Sequence, residues 1–361
     1  MTHFSTHTFA DNFNLTDGFV GTIPPLNAQA MADARSRQNR LTKPNGSLAR
    51  LEDLSIQLAG MTGTEIPDID PAVIFVYAAD HGVAARGVSA YPPEVTAQMV
   101  LNYARGGAVI NTLAAQIGAK LMVADVGVAS DLPASLPILH RKVRPGTADW
   151  TQQPAMDKEQ TLAALQVGWD TFHESGPVGL AIVGEMGIGS TTTAAVLSAA
   201  LTGHSPEALA GRGTGLDDDG VLRKVVAIKA GLARHAPGSV LPTLADLGGL
   251  EIAAMTGAIL AAASRRVPVV LDGFISTCAA LVAVSFAPAC RDYLVAGHRS
   301  PEPGHTLLLR RLALEPLLDL GLRLGEASGA ALAVSLLRSS VAVLRDVATF
   351  EQAGVSNRDT A

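Results

Sequence analysis

Residues 178–201 read VGLAIVGEMGIGSTTTAAVLSAAL, and this stretch indicates the fold. A short β-rich run, Val178–Val183, is followed by a glycine-rich turn and then by an alanine-rich segment, Thr191–Thr202, that predicts a helix. The same order of strand, polar turn and helix recurs along the chain. Strands that alternate with helices in this way predict an α/β fold with a doubly wound, mostly parallel sheet.

The rest of the chain extends this pattern. Further predicted strands are Ala72–Ala78, Lys120–Val126, Val267–Leu271 and Tyr293–Ala296. Further predicted helices are Pro93–Ala104, Lys158–Glu174, Gly220–His235 and Ile275–Val284. The Pro-rich patch Leu132–Pro154 predicts a long surface loop.

The two chain ends carry no strand signal. The N-terminal segment Leu48–Ala59 is helical in pattern, and the run Leu307–Glu351 is rich in Leu, Ala and Arg. We therefore predict a large α/β domain over residues 62–306 and a small helical domain from residues 20–61 plus 307–355. Residues 1–19 form an N-terminal extension in this division.

Composition argues against two classes of partner. The chain has a formal net charge of −6 and scattered Lys and Arg residues, so we expect no nucleic-acid binding. The longest apolar stretch, Ile252–Ala263, is shorter than the roughly 20 residues that span a bilayer, and the N-terminal segment lacks an export signal. We therefore expect a cytoplasmic protein without a membrane segment, in which Cys278 and Cys290 are buried reduced thiols.

Polar residues beside glycine follow four of the predicted strands. They are Asp80-His81-Gly82, Gly184-Glu185-Met186-Gly187, Asp272-Gly273-Phe274 and Gly297-His298. One such end is ordinary turn chemistry, but ligands of open parallel sheets bind beyond the carboxyl ends of the strands. We therefore expect the four ends to form one ligand-binding crevice.

The strongest local signal is GEMGIGSTTT at residues 184–193. Glycines let backbone amides approach a ligand, and the Ser/Thr run opens a helix, which is typical of an anion site. A capped tight turn without a ligand is the alternative. Because no Lys follows the last glycine and the GxxGxG order differs from GxGxxG, neither a Walker A loop nor a dinucleotide site is predicted.

A second glycine cluster, GRGTGLDDDG at residues 211–220, precedes the helix that carries Lys224. Its amides and the Lys224 ammonium favour a phosphomonoester, and Asp217–Asp219 are predicted as helix caps. The acidic run lacks EF-hand spacing, and the nine histidines show no metal-ligand spacing. We therefore expect no metal and no organic cofactor. Since Ser190 lies outside a GxSxG elbow, we expect acid–base chemistry by carboxylates.

Several motifs together resemble one enzyme family. They are LTKPNGSLARLE (41–52), AADHGVAARGVSAYPPEVTAQMV (78–100), both glycine clusters, GGLEIAAMTGAIL (248–260), LDGFIST (271–277), EPGH (302–305) and LGLRLGEASGAALA (320–333). In order and spacing they resemble the nicotinate-nucleotide:dimethylbenzimidazole phosphoribosyltransferases. The resemblance implies a Rossmann-like large domain, a homodimer, and two small-molecule substrates, nicotinate mononucleotide and 5,6-dimethylbenzimidazole, joined with inversion at C1′ in cobalamin biosynthesis.

The resemblance also implies roles for individual residues. Glu326 matches the catalytic base, and Glu185 matches a carboxylate near the ribose and nicotinate. The residues implied at the nucleotide and its phosphate are Gly187, Gly189, Ser190, Thr191, Gly213, Gly215, Lys224, Asp272, Gly273 and Phe274. Those implied at the benzimidazole are Ser89, Tyr91, Gln98, Met99 and Leu324. Ser190 stands where Asn is common in the family, which leaves nucleotide affinity and donor preference open.

The implied reaction needs one base. Nicotinate leaves from an N-glycosyl pyridinium as a neutral ring, so no general acid is required, and a carboxylate near the ribose can stabilise the cationic transition state. Glu326 takes the acceptor's N–H proton in this scheme; the residues alone equally allow a helix-start carboxylate stabilised by the helix dipole. Alternatives are adenine, another benzimidazole or a phenol as acceptor, or a nucleotide-binding sensor without catalysis.

Overall fold

Within the described part of the chain, a six-stranded parallel sheet forms the centre of the protein. A computed structural model describes residues 22–356 and the backbone of residues 13–14 and 18–19, which pair antiparallel as β1 (Phe13–Asn14) and β2 (Gly18–Phe19). The strands of the central sheet are β3 (Ala72–Ala79), β4 (Lys120–Gly127), β5 (Leu139–His140), β6 (Leu180–Met186), β7 (Val269–Leu271) and β8 (Leu294–Ala296).

The sheet order is β5-β4-β3-β6-β7-β8, and every neighbouring pair is parallel. The chain therefore builds outward from β3 to one edge and then from β6 to the other, which confirms the doubly wound α/β fold. The direction of winding reverses between β3 and β6. A crevice opens at such a point beyond the carboxyl ends of the strands.

Helices cover the sheet and form both ends of the described chain. They are α1 (Ala28–Arg40), α2 (Arg50–Thr62), α3 (Val95–Ala104), α4 (Val109–Gln116), α5 (Lys158–Glu174), α6 (Ser190–Thr202), α7 (Pro206–Leu209), α8 (Asp218–Arg234), α9 (Val240–Leu247), α10 (Leu250–Ser264), α11 (Phe274–Phe286), α12 (Pro303–Arg311), α13 (Ser328–Asp346) and α14 (Phe350–Ala353). Two 3-10 helices occupy Gly82–Arg86 and Pro288–Tyr293. Each helix predicted from the sequence is present, with ends that differ by up to three residues.

The helices pack in two layers. The apolar strand β3, AVIFVYAA, is buried along its whole length, which requires cover on both faces. α10 packs on β3, β4 and β6 with α5 and α11 beside it, and α3, α4 and α13 supply the other layer.

α5 and α10 approach so closely that their backbones touch, and two glycines permit it. A Cβ on Gly168 would lie 1.7 Å from the Ala254 carbonyl oxygen, and a Cβ on Gly257 would lie 1.9 Å from the Leu165 carbonyl oxygen. Every residue of α10 except Ser264 is buried. The apolar stretch noted in the sequence is thus a helix of the core.

The two chain ends meet through α1, α2 and α13, which pack against one another. Ala34, Ile56, Ala59 and Leu344 form a buried apolar cluster between these helices. α13 also packs on α4 and β6, so it joins the chain ends to the sheet. The division at residues 62 and 306 stays a prediction, and the extension over residues 1–19 lies outside the described residues except for β1 and β2.

One described helix, α13, is long and apolar enough to cross a membrane by length and composition. The sequence argument considered only the stretch now assigned to α10 and overlooked α13. In the structure 56% of the apolar window of α13 is buried inside the protein, against α2, α4 and β6. The helix therefore serves as a core element of this fold.

The prediction of a surface loop over Leu132–Pro154 is wrong in part. The segment contains β5, which pairs parallel with β4. It also contains Trp150, which is fully buried and donates from Nε1 to Thr193 Oγ1 (3.1 Å). A buried indole supplies a large apolar surface once its N–H has a partner, and proline content carries no information about that.

The predicted end of the third strand at Val183 is also wrong. β6 continues to Met186, because Tyr77 and Ala78 of β3 pair with Glu185 and Met186. Glu185 therefore lies on the rigid strand and not on the loop that follows it.

Replacement of Gly257 by Ala tests the backbone contact between α5 and α10. The added methyl group would overlap the Leu165 carbonyl oxygen, so we expect Gly257→Ala to lower the free energy of unfolding by about 3 kcal/mol or more. Gly238→Ala is the matched control, because its Cβ would meet only the Ala236 carbonyl oxygen at 3.8 Å. Urea denaturation measures both, and equal stability of the two variants would contradict this packing.

Candidate active site

A cleft opens at the carboxyl edge of the sheet. Its walls come from the end of β6, the turns after β7 and β8, the second glycine cluster and the segment that leads into α13. The lining residues are Gly184–Ile188, Ser190, Thr191, Gly213, Thr214, Asp272–Ser276, His298, Ser300, Glu302 and Arg323–Glu326. The turn after β3 was expected to share this cleft, but Asp80 and His81 lie beneath it and are buried.

The first glycine cluster places the N-terminus of α6 in the cleft wall. Gly189 has φ 101°, in the left-handed region that favours glycine, and α6 begins at Ser190. Amides of the cluster are already occupied: that of Ile188 donates to Thr96 Oγ1 (3.1 Å), that of Ser190 donates to the Gly187 carbonyl oxygen (3.2 Å), and those of Thr192 and Thr193 donate to the Gly189 carbonyl oxygen. An anion here would therefore meet the positive end of the helix dipole more than a ring of free amides.

Lys224 ties the two glycine clusters together from behind the cleft wall. Its Nζ donates to Thr191 Oγ1 (2.9 Å) and to the Gly211 carbonyl oxygen (3.1 Å). Burial lowers the pKa of Lys224 to about 8, although the nearby Glu302 carboxylate opposes this shift. The Glu302 carboxylate also accepts a hydrogen bond from the Gly213 amide (2.8 Å). Thr191 and Gly213 line the cleft, and the ammonium lies directly behind them.

Glu326 lies on a turn with an unusual backbone. Gly325, Glu326 and Ala327 have φ of 85°, 61° and 67°, so three consecutive residues occupy the left-handed region. Non-glycine residues there carry strain that the surrounding structure must hold in place. The turn packs directly against Gly184 of β6: a Cβ at Gly184 would lie 2.4 Å from the Ala327 amide nitrogen. The sheet thus fixes the position of the Glu326 side chain.

Asp272 holds the start of α13. Its Oδ1 accepts hydrogen bonds from the Gly329 amide (2.7 Å) and the Ala330 amide (3.1 Å), and His298 Nε2 lies 3.3 Å from the same oxygen. A carboxylate at the first turn of a helix compensates its free amides and its dipole. Asp272 therefore caps α13, while Glu326 lies two residues before the helix begins, so the helix-start alternative for Glu326 stays open beside the base.

The Glu326 carboxyl is buried, but not all of its hydrogen-bonding capacity is used by the described residues. Its Oε2 makes no hydrogen bond with any described residue, and neither does the hydroxyl of the neighbouring Tyr103. Burial raises the pKa of Glu326, the charge of Asp272 raises it further, and the proximity of Tyr103 opposes the shift. A carboxylate with a raised pKa and a free lone pair is suited to accept a proton from a ligand.

Glu185 has the most perturbed carboxyl of the cleft. Burial, followed by the Glu251 carboxylate, raises the pKa of Glu185 to about 8, while a hydrogen bond from Ser190 opposes the shift. A raised pKa favours the protonated form of this carboxyl. The role of Glu185 as a carboxylate near the ribose and nicotinate stays a prediction.

The residues implied at the benzimidazole are only partly brought together. Leu324 lines the cleft and is 52% exposed. The other four do not line it; they are Ser89, Tyr91, Gln98 and Met99. α3 instead reaches the site through its buried face, which carries Thr96 and Tyr103.

Several site residues were not identified from the sequence, namely Tyr103, Glu251, Glu302 and Arg323. Glu251 and Glu302 lie inside motifs that were recognised, so their motif membership was a usable signal. Tyr103 lies seven residues after Thr96 in α3, so the two side chains share one face of the helix and are two turns apart. Among residues 22–356, no group of three or more His, Cys, Asp or Glu residues is arranged to hold a metal ion.

Comparison with known proteins shows the family to which the chain belongs. A family model described as phosphoribosyltransferase matches residues 23–355. The chain is 51% identical over 346 residues, 95% of its length and 98% of the relative's, to nicotinate-nucleotide–dimethylbenzimidazole phosphoribosyltransferase of Chloroflexus aggregans. It is 50% identical to the enzyme of the same name from Xanthomonas axonopodis pv. citri, with 95% and 99% of the two chains covered. A crystal structure of CobT from Thermus thermophilus superposes with a TM-score of 0.89 at 48% identity, covering 91% of this chain and 99% of that one. The chain therefore belongs to the nicotinate-nucleotide–dimethylbenzimidazole phosphoribosyltransferase family and is an enzyme of the phosphoribosyltransferase class.

Proposed function

We propose that the protein transfers the phosphoribosyl group of nicotinate mononucleotide to 5,6-dimethylbenzimidazole, giving α-ribazole 5′-phosphate and nicotinate in cobalamin biosynthesis. The observation that carries this proposal is the Glu326 carboxyl, which is buried in the cleft with one oxygen that has no hydrogen-bond partner among residues 22–356. The near full-length identity to relatives of that name supports the choice of substrates.

The donor's phosphate is best placed between the two glycine clusters. Thr191 and Gly213 line the cleft there, the N-terminus of α6 points at it, and Lys224 stands behind both residues. A bound phosphate would favour the charged form of Lys224, because an anion nearby offsets the burial that lowers the pKa of that ammonium to about 8. Binding and charge on Lys224 therefore support each other.

The chemical step then follows from the free oxygen of Glu326. One ring nitrogen of the acceptor attacks C1′ from the face opposite nicotinate, the C1′–N bond breaks, and its electron pair leaves with a neutral nicotinate ring. The other ring nitrogen gives its proton to Glu326 Oε2. Removal of that proton strengthens the nucleophile, which is worth about 10²- to 10⁴-fold for a positioned base. Alignment of both substrates supplies further acceleration.

We also propose a homodimer that acts in the cytoplasm without a membrane anchor. Tyr91, Leu222, Val226 and Leu324 are large apolar side chains that are more than half exposed, which supports a surface for self-association. The division into a large α/β domain and a small helical domain belongs to the same proposal.

Product analysis tests the proposed reaction. Purified protein mixed with nicotinate mononucleotide and 5,6-dimethylbenzimidazole, without added metal, should release nicotinate and α-ribazole 5′-phosphate in equal amounts on chromatography. Adenine and phenol, offered in competition, test the choice of acceptor. Release of nicotinate without a new nucleotide would contradict transfer to the acceptor base. Binding of nicotinate mononucleotide without release of nicotinate would instead indicate a nucleotide-binding sensor without catalysis.

Replacement of Glu326 by Gln tests the base. The amide keeps the shape of the side chain but cannot take the acceptor proton, so kcat should fall about 10²- to 10⁴-fold with an unchanged unfolding midpoint. Glu65→Gln is the control, because Glu65 is exposed and does not line the cleft. Steady-state kinetics of both variants measures the effect. Near-normal turnover of Glu326→Gln would show that Glu326 is not the base.

A further inference from the structure

Glu302 is a buried carboxyl of the cleft wall that the reaction scheme does not use. It directly precedes α12, yet its side chain makes no capping hydrogen bond to that helix. Its Oε1 instead accepts a hydrogen bond from the Gly213 amide (2.8 Å), which lies 89 residues earlier in the chain. Because burial of a carboxylate costs free energy, this position points to a role other than helix capping.

The turn that carries Glu302 is fixed by the fully buried His305. His305 Nδ1 accepts a hydrogen bond from the Ser300 amide (2.9 Å), and its Nε2 lies 3.0 Å from Thr277 Oγ1 on α11. The Ser300 hydroxyl accepts a hydrogen bond from the Glu302 amide (3.3 Å), and the Glu302 carbonyl oxygen accepts one from the His305 amide (3.0 Å). The backbone of Glu302 is therefore tied to α11, so its carboxyl is a fixed contact for the second glycine cluster.

The Glu302 carboxyl packs directly on the second glycine cluster. A Cβ on Gly211 would lie 2.1 Å from Glu302 Oε2, so a side chain at this position would displace the carboxyl. Gly213 has φ 54°, in the left-handed region that favours glycine, and in this conformation its amide reaches Glu302 Oε1. The carboxyl thus fixes the course of the cluster at both glycines.

The same two glycines set the position of Lys224. The Lys224 ammonium donates to the Gly211 carbonyl oxygen (3.1 Å) and to Thr191 Oγ1 (2.9 Å). A Cβ on Gly213 would lie 2.9 Å from Lys224 Nζ and 3.1 Å from Thr191 Oγ1, so Gly213 lies directly against both groups. The segment that Glu302 holds is therefore the segment that separates the ammonium from the cleft.

We propose that Glu302 is a positioning residue for the donor's phosphate, which holds Gly211 and Gly213 so that the Lys224 ammonium stays directly behind the phosphate subsite. This inference rests on the proposed function, in which the donor is nicotinate mononucleotide. Glu302 acts through the second glycine cluster and not by contact with the phosphate, because a carboxylate would repel that anion. Its contribution is therefore to donor binding and not to the chemical step.

Calorimetric titration with nicotinate mononucleotide, in the absence of an acceptor base, tests the proposal. Glu302→Ala removes the partner of the Gly213 amide, so the Kd should rise about tenfold or more. Glu302→Gln offers an amide oxygen to the same N–H and should recover most of the affinity. Glu207→Ala is the matched control, because Glu207 is exposed and does not line the cleft. An unchanged Kd in Glu302→Ala, or Ala and Gln variants that bind equally weakly, would overturn the proposal.

Steady-state kinetics separates positioning from a part in the chemistry. In Glu302→Ala the KM for nicotinate mononucleotide should rise, while kcat and the KM for 5,6-dimethylbenzimidazole should stay close to their wild-type values. A fall in kcat with an unchanged KM for the donor would overturn the proposal. If the wild type binds the donor more tightly than Glu302→Ala but forms no product, the role of Glu302 stands and the proposed reaction fails.

Discussion

The Asp272 carboxylate accepts hydrogen bonds from the first amides of α13, and the geometry of the site depends on this contact. Asp272 follows β7, so the bond joins the carboxyl edge of the sheet to a helix from the far end of the chain. The three left-handed residues Gly325–Ala327 lie immediately before that helix and are held between it and β6. Their strain is maintained because the sheet, the cap and the helix leave the turn no alternative.

A second constraint is electrostatic. The cleft and its floor hold several buried carboxyls in different environments. Asp272 accepts hydrogen bonds from backbone amides, and Glu251 lies 3.0 Å from an imidazole nitrogen. Glu185 has the Ser190 hydroxyl beside it, whereas Glu326 Oε2 has no hydrogen-bond partner among residues 22–356. Environments of this kind separate the pKa values of neighbouring carboxyls. In the proposed reaction Glu326 is the base, and burial raises its pKa.

The sequence was sufficient for the fold class, because strand and helix periodicities alternate clearly and the glycine clusters mark the strand ends. It also gave Asp217 as a cap, whose Oδ1 accepts from the Gly220 amide at 2.8 Å, and Cys278 and Cys290 as buried residues. Short elements such as β5 and α9 were not predicted from the sequence, since two to eight residues carry too little periodicity.

The arrangement inside the site could be predicted only in part. Motifs brought Glu185, Asp272 and Glu326 to one cleft, but their protonation depends on residues that meet only in the folded chain, such as Glu251 and Tyr103. Likewise only the structure shows that Asp272 accepts hydrogen bonds from the first amides of α13. Burial and partner choice are tertiary properties that local patterns do not encode.

The most direct test of this account is a crystal structure of the protein with 5,6-dimethylbenzimidazole bound. The account predicts that Glu326 Oε2 lies within about 2.6–3.2 Å of a ring nitrogen, with the Gly325–Ala327 turn still in its left-handed conformation. A base that binds in the cleft with both ring nitrogens directed away from Glu326, or paired with a different side chain, would contradict it.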